Sequence, residues 1–227
     1  MNFSKILIIV AHPDDEILGC GGTILKFKNK SKIQIIFTCK AYEKRIEKNI
    51  SNNEKRQTLA KKVCSYLKIN KPIFLNYNGL SLRRKDITDM SKSIYDQIIK
   101  FKPKTIITHC VDDNHHDHRA TAEATLIATR HKDSTNYIKK LLSCEIPSAS
   151  DRLIKKNKNF NPNLFIDINK QLDNKINILK KFYKNELKKY PNLLSIKGIQ
   201  NLHKFRGNSV SLKSAEAFEI VFEKINS

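Results

Sequence analysis

The segment Ala11-His12-Pro13-Asp14-Asp15-Glu16 places one imidazole and three carboxylates within five positions, His12 to Glu16. Carboxylates packed this closely repel one another strongly in a partly dry site, and a divalent cation removes that difficulty. His12 and Asp15 supply one nitrogen and one oxygen ligand of the kind Zn²⁺ takes. Pro13, with its fixed φ, stiffens the turn that would bring the two together. A catalytic zinc normally has three protein ligands and a water, so the third ligand must come from far along the chain. A second cluster answers that need: Asp112-Asp113-Asn114-His115-His116-Asp117-His118. A lone turn histidine is usually an exposed or capping residue, but two dense clusters at equivalent places in the chain together suit a metal site.

The elements that must position these residues are legible on either side of them. Residues 6–10 form a short apolar run rich in β-branched side chains, read as one fully buried strand. Apolar helical periodicity follows the acidic turn (Ile17, Leu18, Ile24, Leu25, Phe27). Strand, polar turn, helix puts the polar residues at the carboxyl end of a strand, where open α/β sheets build their sites. Further strands are expected at 32–39, 72–75, 105–110, 141–146 and 164–168, with helices at about 53–67, 87–101 and 119–129. This alternation predicts an α/β, Rossmann-like, doubly wound and mostly parallel sheet. Both clusters then fall on the same edge of it. Past Ile168 the chain is lysine-studded, with a long helix expected over 169–189 that ends at Tyr190-Pro191, and an apolar segment over 214–225. Residues 1–227 are expected to form one domain, 168–227 being a small C-terminal helical extension packed on the same core.

The length of 227 residues suits a sizeable core, and a hydrophobic content of 40% favours a folded chain over disorder. The first apolar run covers only six residues, Ile6 to Ala11, and ends in HPDDE, so neither a signal peptide nor a membrane span is expected there, and the chain reads as cytoplasmic. Cys20, Cys39, Cys64, Cys110 and Cys144 are scattered, without a CxxC, and read as small core residues. The 43 basic residues against 22 acidic give a net charge of +21. An anionic partner such as a phosphorylated sugar, a membrane surface or nucleic acid would explain that balance. So would a Lys-, Asn- and Ile-rich genome composition, and the dispersal of the charge favours this second reading.

AHPDDE with a downstream HxDH resembles the family of zinc-dependent N-acetylglucosaminyl de-N-acetylases, which includes the PIG-L and LmbE-like deacetylases. Cys144-Glu145-Ile146-Pro147-Ser148, Arg206-Gly207 and Ala215-Glu216-Ala217-Phe218 look like that family's later landmarks, extending the resemblance over most of the chain. It implies one zinc per chain on His12, Asp15 and His118, with Asp14 as general base. It further implies that His115 stabilises the oxyanion and that Asp117 orients that histidine. The position between His115 and Asp117 is often proline in the family and here is His116, which could replace His118 as a ligand, although the motif register favours His118. The implied activity is hydrolysis of the acetamide of an amino sugar, free or glycan-linked, with or without a phosphate.

The chemistry is consistent with that implication. Zinc polarises an amide carbonyl and acidifies water, Asp14 can take the proton, and a positively charged His115, its pKa raised by Asp117, would hold the oxyanion. Either Asp14 or His115 returns a proton to the leaving amine. Asp112 and Asp113 read as capping residues or contacts to sugar hydroxyls. Glu16 either orients a neighbour or favours the helix N-terminus. Cys20-Gly21-Gly22 reads as close packing. Arg56 could meet a substrate phosphate or lie on a solvated face, and Asn78 and Arg206 are expected to contact substrate. The substrate-selecting walls are expected in the loops after Leu75, at 132–136 and at 189–208. Two other classes remain open: an amidase acting on a thiol conjugate or other non-sugar amide, and a non-catalytic basic binder of nucleic acid or a membrane surface. Peripheral membrane contact fits the charge; a specific nucleic-acid partner is not expected.

Overall fold

Strand β1 (Lys5–Val10) lies inside a sheet of seven strands and is apolar on both faces. Ile6, Ile8 and Val10 join the core on one side, Leu7 and Ile9 the core on the other. Burial on both faces is why the run is continuous rather than alternating. In this computed structural model the described residues are 3–40, 49–130, 133–147, 149–150 and 160–225. Ser148 of the later landmark and residue 132 of the predicted wall lie outside them.

The remaining strands are β2 (Lys32–Lys40), β3 (Ile73–Asn78), β4 (Thr105–His109), β5 (Lys140–Cys144), β6 (Leu164–Asp167) and β7 (Ala215–Glu223). The helices are α1 (Asp15–Phe27), α2 (Asn49–Leu67), α3 (Arg84–Phe101), α4 (His116–Ala128), α5 (Leu172–Phe182) and α6 (Ile196–Asn208). The strand order is β3-β2-β1-β4-β5-β7-β6. β3, β2, β1, β4 and β5 pair in parallel, whereas β7 is antiparallel to both β5 and β6. The chain winds outward from β1 to β3, then returns to place β4 on β1's other side. The β1/β4 boundary is therefore the switch point, where the carboxyl ends of neighbouring strands diverge into a crevice. Both polar clusters leave the sheet there. Helices α3 and α4 cover one face through Met90, Ile94, Ile98, Ala120 and Ala124; α1, α2, α5 and α6 cover the other.

Two departures from the expected elements have local causes. Helix α4 starts at His116, ahead of the expected residue 119, because His115 caps it: its ring Nδ1 accepts the N–H of Asp117 at 3.2 Å. Asp117 and His118 are thereby fixed in a helical first turn. The helix expected over 169–189 stops at Phe182. Tyr183 leaves helical geometry with φ −119° and ψ 29°, its buried hydroxyl donating to Glu16 at 2.6 Å, and a 3-10 turn, Lys184–Glu186, follows. The segment past Ile168 thus supplies helices as expected and also a strand, β7, that enters the sheet. No helix among the described residues is long and apolar enough to cross a membrane, and all five cysteines are buried and free.

β7 is tied to α1 by hydrogen bonds to Glu216, and to α5 by a buried ion pair on the same carboxylate. Glu216 accepts the N–H groups of Gly22 and Thr23, each at 2.7 Å. Lys175 of α5, fully buried, donates to Glu216 Oε1 at 2.8 Å and to the Leu18 carbonyl at 2.7 Å, and sits 2.7 Å from His203 Nε2. A Cβ at Gly22 would come within 2.6 Å of Ile168, so the glycine lets α1 pack this close. Removing one partner of a buried pair leaves an uncompensated charge. Lys175→Met is therefore expected to cost about 3–5 kcal/mol in urea denaturation, and the double variant Lys175→Met/Glu216→Gln to recover part of that loss.

Candidate active site

The turn leaving β1 holds a strained residue. Asp14 has φ 123° and ψ −33°, a conformation that side-chain-bearing residues rarely adopt. Its surroundings over-determine it. The Asp14 N–H donates to Glu16 Oε2 at 2.9 Å, and its carbonyl accepts the N–H groups of Ile17 and Leu18 at 3.0 and 2.9 Å. Arg56 Nη2 donates to the Pro13 carbonyl at 2.9 Å and lies 3.2 Å from Asp14 Oδ2. Glu16 is fully buried beneath the turn, and burial pushes its carboxyl up to about 7 despite the hydrogen bond from Tyr183. Strain held by this many contacts is the kind that accumulates at functional sites.

Asp15 sits between two imidazoles. Its Oδ2 accepts the His12 N–H at 2.8 Å and lies 3.5 Å from His12 Nδ1, while Oδ1 lies 3.4 Å from His118 Nε2. The two side-chain separations are long for hydrogen bonds. Each is close to the roughly 3.3 Å between two donors that are each about 2.05 Å from a tetrahedral zinc, and they run to different oxygens of Asp15. The far nitrogen of each ring meets a carboxylate: His12 Nε2 is 2.9 Å from Asp117 Oδ2, and His118 Nδ1 is 3.1 Å from Asp113 Oδ2. Carboxylate–histidine pairs of this kind fix ring orientation in metal sites. The donor types are those zinc takes, and ligand atoms lie within 4.8 Å of one another in two overlapping groups, His12 with His115 and His118, and Asp15 with His109 and His118.

Three other histidines lie close by, with different connections. His109, at the end of β4, has Nε2 3.5 Å from Asp15 Oδ2, but that nitrogen accepts the Ala11 N–H at 2.9 Å and so has its lone pair engaged. Its ring stacks on His118 with centroids 3.9 Å apart and a 4° tilt. His115 offers a nitrogen within 4.8 Å of those of His12 and His118. His116 turns away, with Nε2 3.2 Å from the Leu82 carbonyl, which leaves His118 as the ring of the second cluster facing Asp15.

The electrostatics reflect a buried carboxylate surrounded by imidazoles. Burial works to raise the Asp15 carboxyl, but the charge of His118 and the nearby imidazoles of His109 and His12 hold it well below its ordinary range. Burial likewise opposes charge on His118 and His12. Asp15 and Asp113 nevertheless lift His118 well above its usual value, and Asp117 and Asp15 lift His12. Protons on these two rings therefore balance the carboxylates in the metal-free protein. Asp14 differs: burial lifts it well above the usual carboxylate range even with Arg56 opposing. The expectation of a positively charged His115 is not met, because burial, His118 and His12 push it down to about 4. Its Nδ1 accepts a backbone N–H, so the proton of the neutral ring sits on Nε2.

These groups line a cavity of 270 Å³ at the switch point, where Asp14, Asp15, Asp117, Arg56 and Glu186 face Leu18, Leu80, Ile146 and Leu194. His12, His115 and His118 complete its polar wall. The Asp117 carboxylate, expected on His115, binds His12 instead, and it is the Asp117 N–H that meets His115. Asn78 and Arg206 do not line the cavity. Asn78 is exposed at the end of β3. The loop after it reaches the site through the Leu80 N–H, which donates to Asp117 Oδ1 at 2.7 Å, and through Gly79, where a Cβ would overlap the Asp117 carboxylate. Arg206 Nε donates to Glu145 Oε2 at 2.9 Å, its Nη2 binds the other oxygen, and its guanidinium lies over the Phe160 ring. Asp113, read as a capping residue or a sugar contact, lies ahead of the cap: its Oδ1 accepts the N–H of His115, which caps α4, at 2.7 Å, while Oδ2 accepts the Ser150 hydroxyl and lies 3.1 Å from His118 Nδ1. His109 and Glu186 were not singled out by sequence pattern; the acid-histidine density near residue 113 was the one usable signal for His109.

Residues 7–129 match the family model described as GlcNAc-PI de-N-acetylase, PIG-L. The landmarks after residue 140 lie beyond that stretch. No curated protein matches the chain in sequence at a significant level. Among solved structures, N,N′-diacetylchitobiose deacetylase from Pyrococcus horikoshii, complexed with its inhibitor MPG, superposes with a TM-score of 0.76 at 16% identity, over 96% of this chain and 84% of that one. A deacetylase of the teicoplanin biosynthesis pathway gives 0.76 at 13% identity, over 99% of this chain and 100% of that one. GalB, the 4-carboxy-2-hydroxymuconate hydratase from Pseudomonas putida KT2440, gives 0.73 at 16% identity, over 99% and 98%. At such identities the likeness is one of fold, and its breadth agrees with the α/β, mostly parallel architecture.

Two outcomes follow from the geometry. Asp113→Asn removes the charge behind His118 and is expected to weaken zinc binding about 10–100-fold, read by calorimetric titration. Zinc must displace the protons that Asp15 and its neighbours hold on His12 and His118. Zinc affinity is therefore expected to rise with pH through the neutral range, with proton release measurable in buffers of different ionisation enthalpy.

Proposed function

The chain belongs to the PIG-L family of GlcNAc-PI de-N-acetylases, and from that premise we propose that it is a zinc-dependent hydrolase releasing acetate and a free amine from an N-acetylated amino sugar or its conjugate. The observation that carries this reading is the division of labour between adjacent acids: Asp15 faces His12 Nδ1 and His118 Nε2 at ligand spacing, while Asp14 points beside them into the cavity toward Arg56. Zinc on His12, Asp15 and His118 would supply Lewis acidity toward an amide carbonyl and toward water.

The protein's own groups do the rest. Asp14, held by its strained backbone, takes a proton from the attacking water as the new C–O bond forms at the acetamide carbon. His115, neutral with its proton on Nε2, donates a hydrogen bond to the oxyanion. Asp117 keeps His12 in place through Nε2 and sets the His115 tautomer through its backbone N–H. As the C–N bond breaks, Asp14 returns the proton it took to the departing nitrogen, so the amine leaves neutral and acetic acid ionises in solution. The apolar wall of Leu18, Ile146 and Leu80 would accept the acetyl methyl and exclude bulk water.

The expected outcome is acetate release from N-acetylglucosamine derivatives by zinc-loaded protein. Asp14→Asn should retain zinc by elemental analysis while kcat falls about 10²–10⁴-fold. Full activity in that variant would remove Asp14 from the chemistry, and a zinc-free protein that cannot be loaded would remove the hydrolytic reading altogether.

A further inference from the structure

A net charge of +21 and an arginine, Arg56, that could meet a phosphate would suit an anionic substrate. The cavity argues otherwise. Among the described residues that line it, four carboxylates, Asp14, Asp15, Asp117 and Glu186, face one guanidinium, that of Arg56, and the imidazoles of His12, His115 and His118. With a divalent cation in place of the protons on His12 and His118, these four carboxylates still exceed the charge of that cation and Arg56 together. Nor is Arg56 available to an incoming anion. Its Nη2 donates to the Pro13 carbonyl at 2.9 Å and pairs with Asp14 Oδ2 at 3.2 Å, its Nη1 pairs with Glu186 Oε1 at 3.4 Å, and its Nε is buried. Both terminal nitrogens are committed, one to a carboxylate of the reacting centre and one to a carboxylate at the rim.

Glu186 is held in that position by the fold. It ends the 3-10 turn that begins where Tyr183 breaks α5 to donate its hydroxyl to Glu16. The same anchor that supports the Asp14 turn therefore delivers Glu186 to the cavity, with its side chain about a third exposed (34%). A phosphate entering here meets a fixed negative charge and a guanidinium already neutralised. A sugar hydroxyl meets a carboxylate acceptor. We infer that the cavity selects amino sugars carrying no phosphate or other anionic group on the ring that is deacetylated, and that Glu186 is the residue setting this preference.

This rests on the proposed hydrolysis for its substrate class, so the test separates the two. Zinc-loaded protein is compared on methyl N-acetylglucosaminide and N-acetylglucosamine 1-phosphate, by kcat/KM and by calorimetric affinity. The neutral ligand should be favoured in both readouts. The preference should fall on the order of tenfold in Glu186→Gln and further in Glu186→Lys, with a dependence on ionic strength. Preference for the phosphate in the parent protein, a preference unmoved by either substitution, or failure of the neutral sugar to bind overturns the inference. Preferential binding of the neutral sugar without acetate release upholds the inference and overturns the hydrolytic reading instead.

Discussion

A carboxylate with almost no solvent contact must be compensated from within, and Asp15 is that carboxylate. It is 3% exposed, and its two oxygens meet imidazoles of His12, His109 and His118 and the His12 N–H. Each ring then needs its own support: Asp117 behind His12, Asp113 behind His118, the Ala11 N–H on His109. The pattern alternates acid and base outward from one atom group, so each buried charge has an opposite neighbour. Losing any member leaves another uncompensated, which in a low-dielectric setting costs more than the pair contributes. The helix N-termini of α1 and α4 both open toward this cluster, adding partial positive charge where the acids concentrate.

The second dependency runs through the C-terminal third of the chain. Asp14 holds φ 123° because Glu16 accepts its N–H, and Glu16 is positioned by Tyr183, at the end of a helix that arrives long after the site sequence has been completed. α5 is in turn locked to α1 by Lys175 on the Leu18 carbonyl and on Glu216, which holds Gly22 and Thr23. β7 is therefore more than a sheet edge filler. It brings Glu216 against the helix whose first residue is Asp15, so the segment after residue 168 acts as a brace for the catalytic turn.

The sequence exposed what depends on local pattern. The apolar run at Ile6–Val10 and the strand at Thr105 announced a parallel sheet, and the acid-histidine clusters at the two strand ends meet, as expected, on one edge of it. Residues whose role depends on a partner distant in the chain were harder to read. Arg56 looked like a solvated or phosphate-binding group because Asp14 and Glu186 are invisible from its own helix. Asn78, expected on substrate, does not line the cavity; its loop meets Asp117 through the Gly79 and Leu80 backbone, which no side-chain type reports. Arg206 matched a family landmark, yet its guanidinium is spent on Glu145. Asp117 was assigned to its nearest histidine in sequence; on a helical first turn its side chain reaches across to His12, while its N–H serves His115.

The same scaffold carries deacetylases and a hydratase, so the fold leaves the reaction open and the site must decide it. What distinguishes amide hydrolysis here is the neighbouring pair Asp14 and Asp15 held in opposite roles by backbone geometry. Successive side chains at a helix start point about 100° apart, and the two acids here meet different neighbours. Asp15 is left with the imidazoles, where its charge is stabilised, and Asp14 faces a cavity whose opposing cation, Arg56, is only partly able to offset burial. Identical side chains one residue apart thus sit in opposite electrostatic settings, at a strained turn that the bonds to Glu16 and from Arg56 sustain.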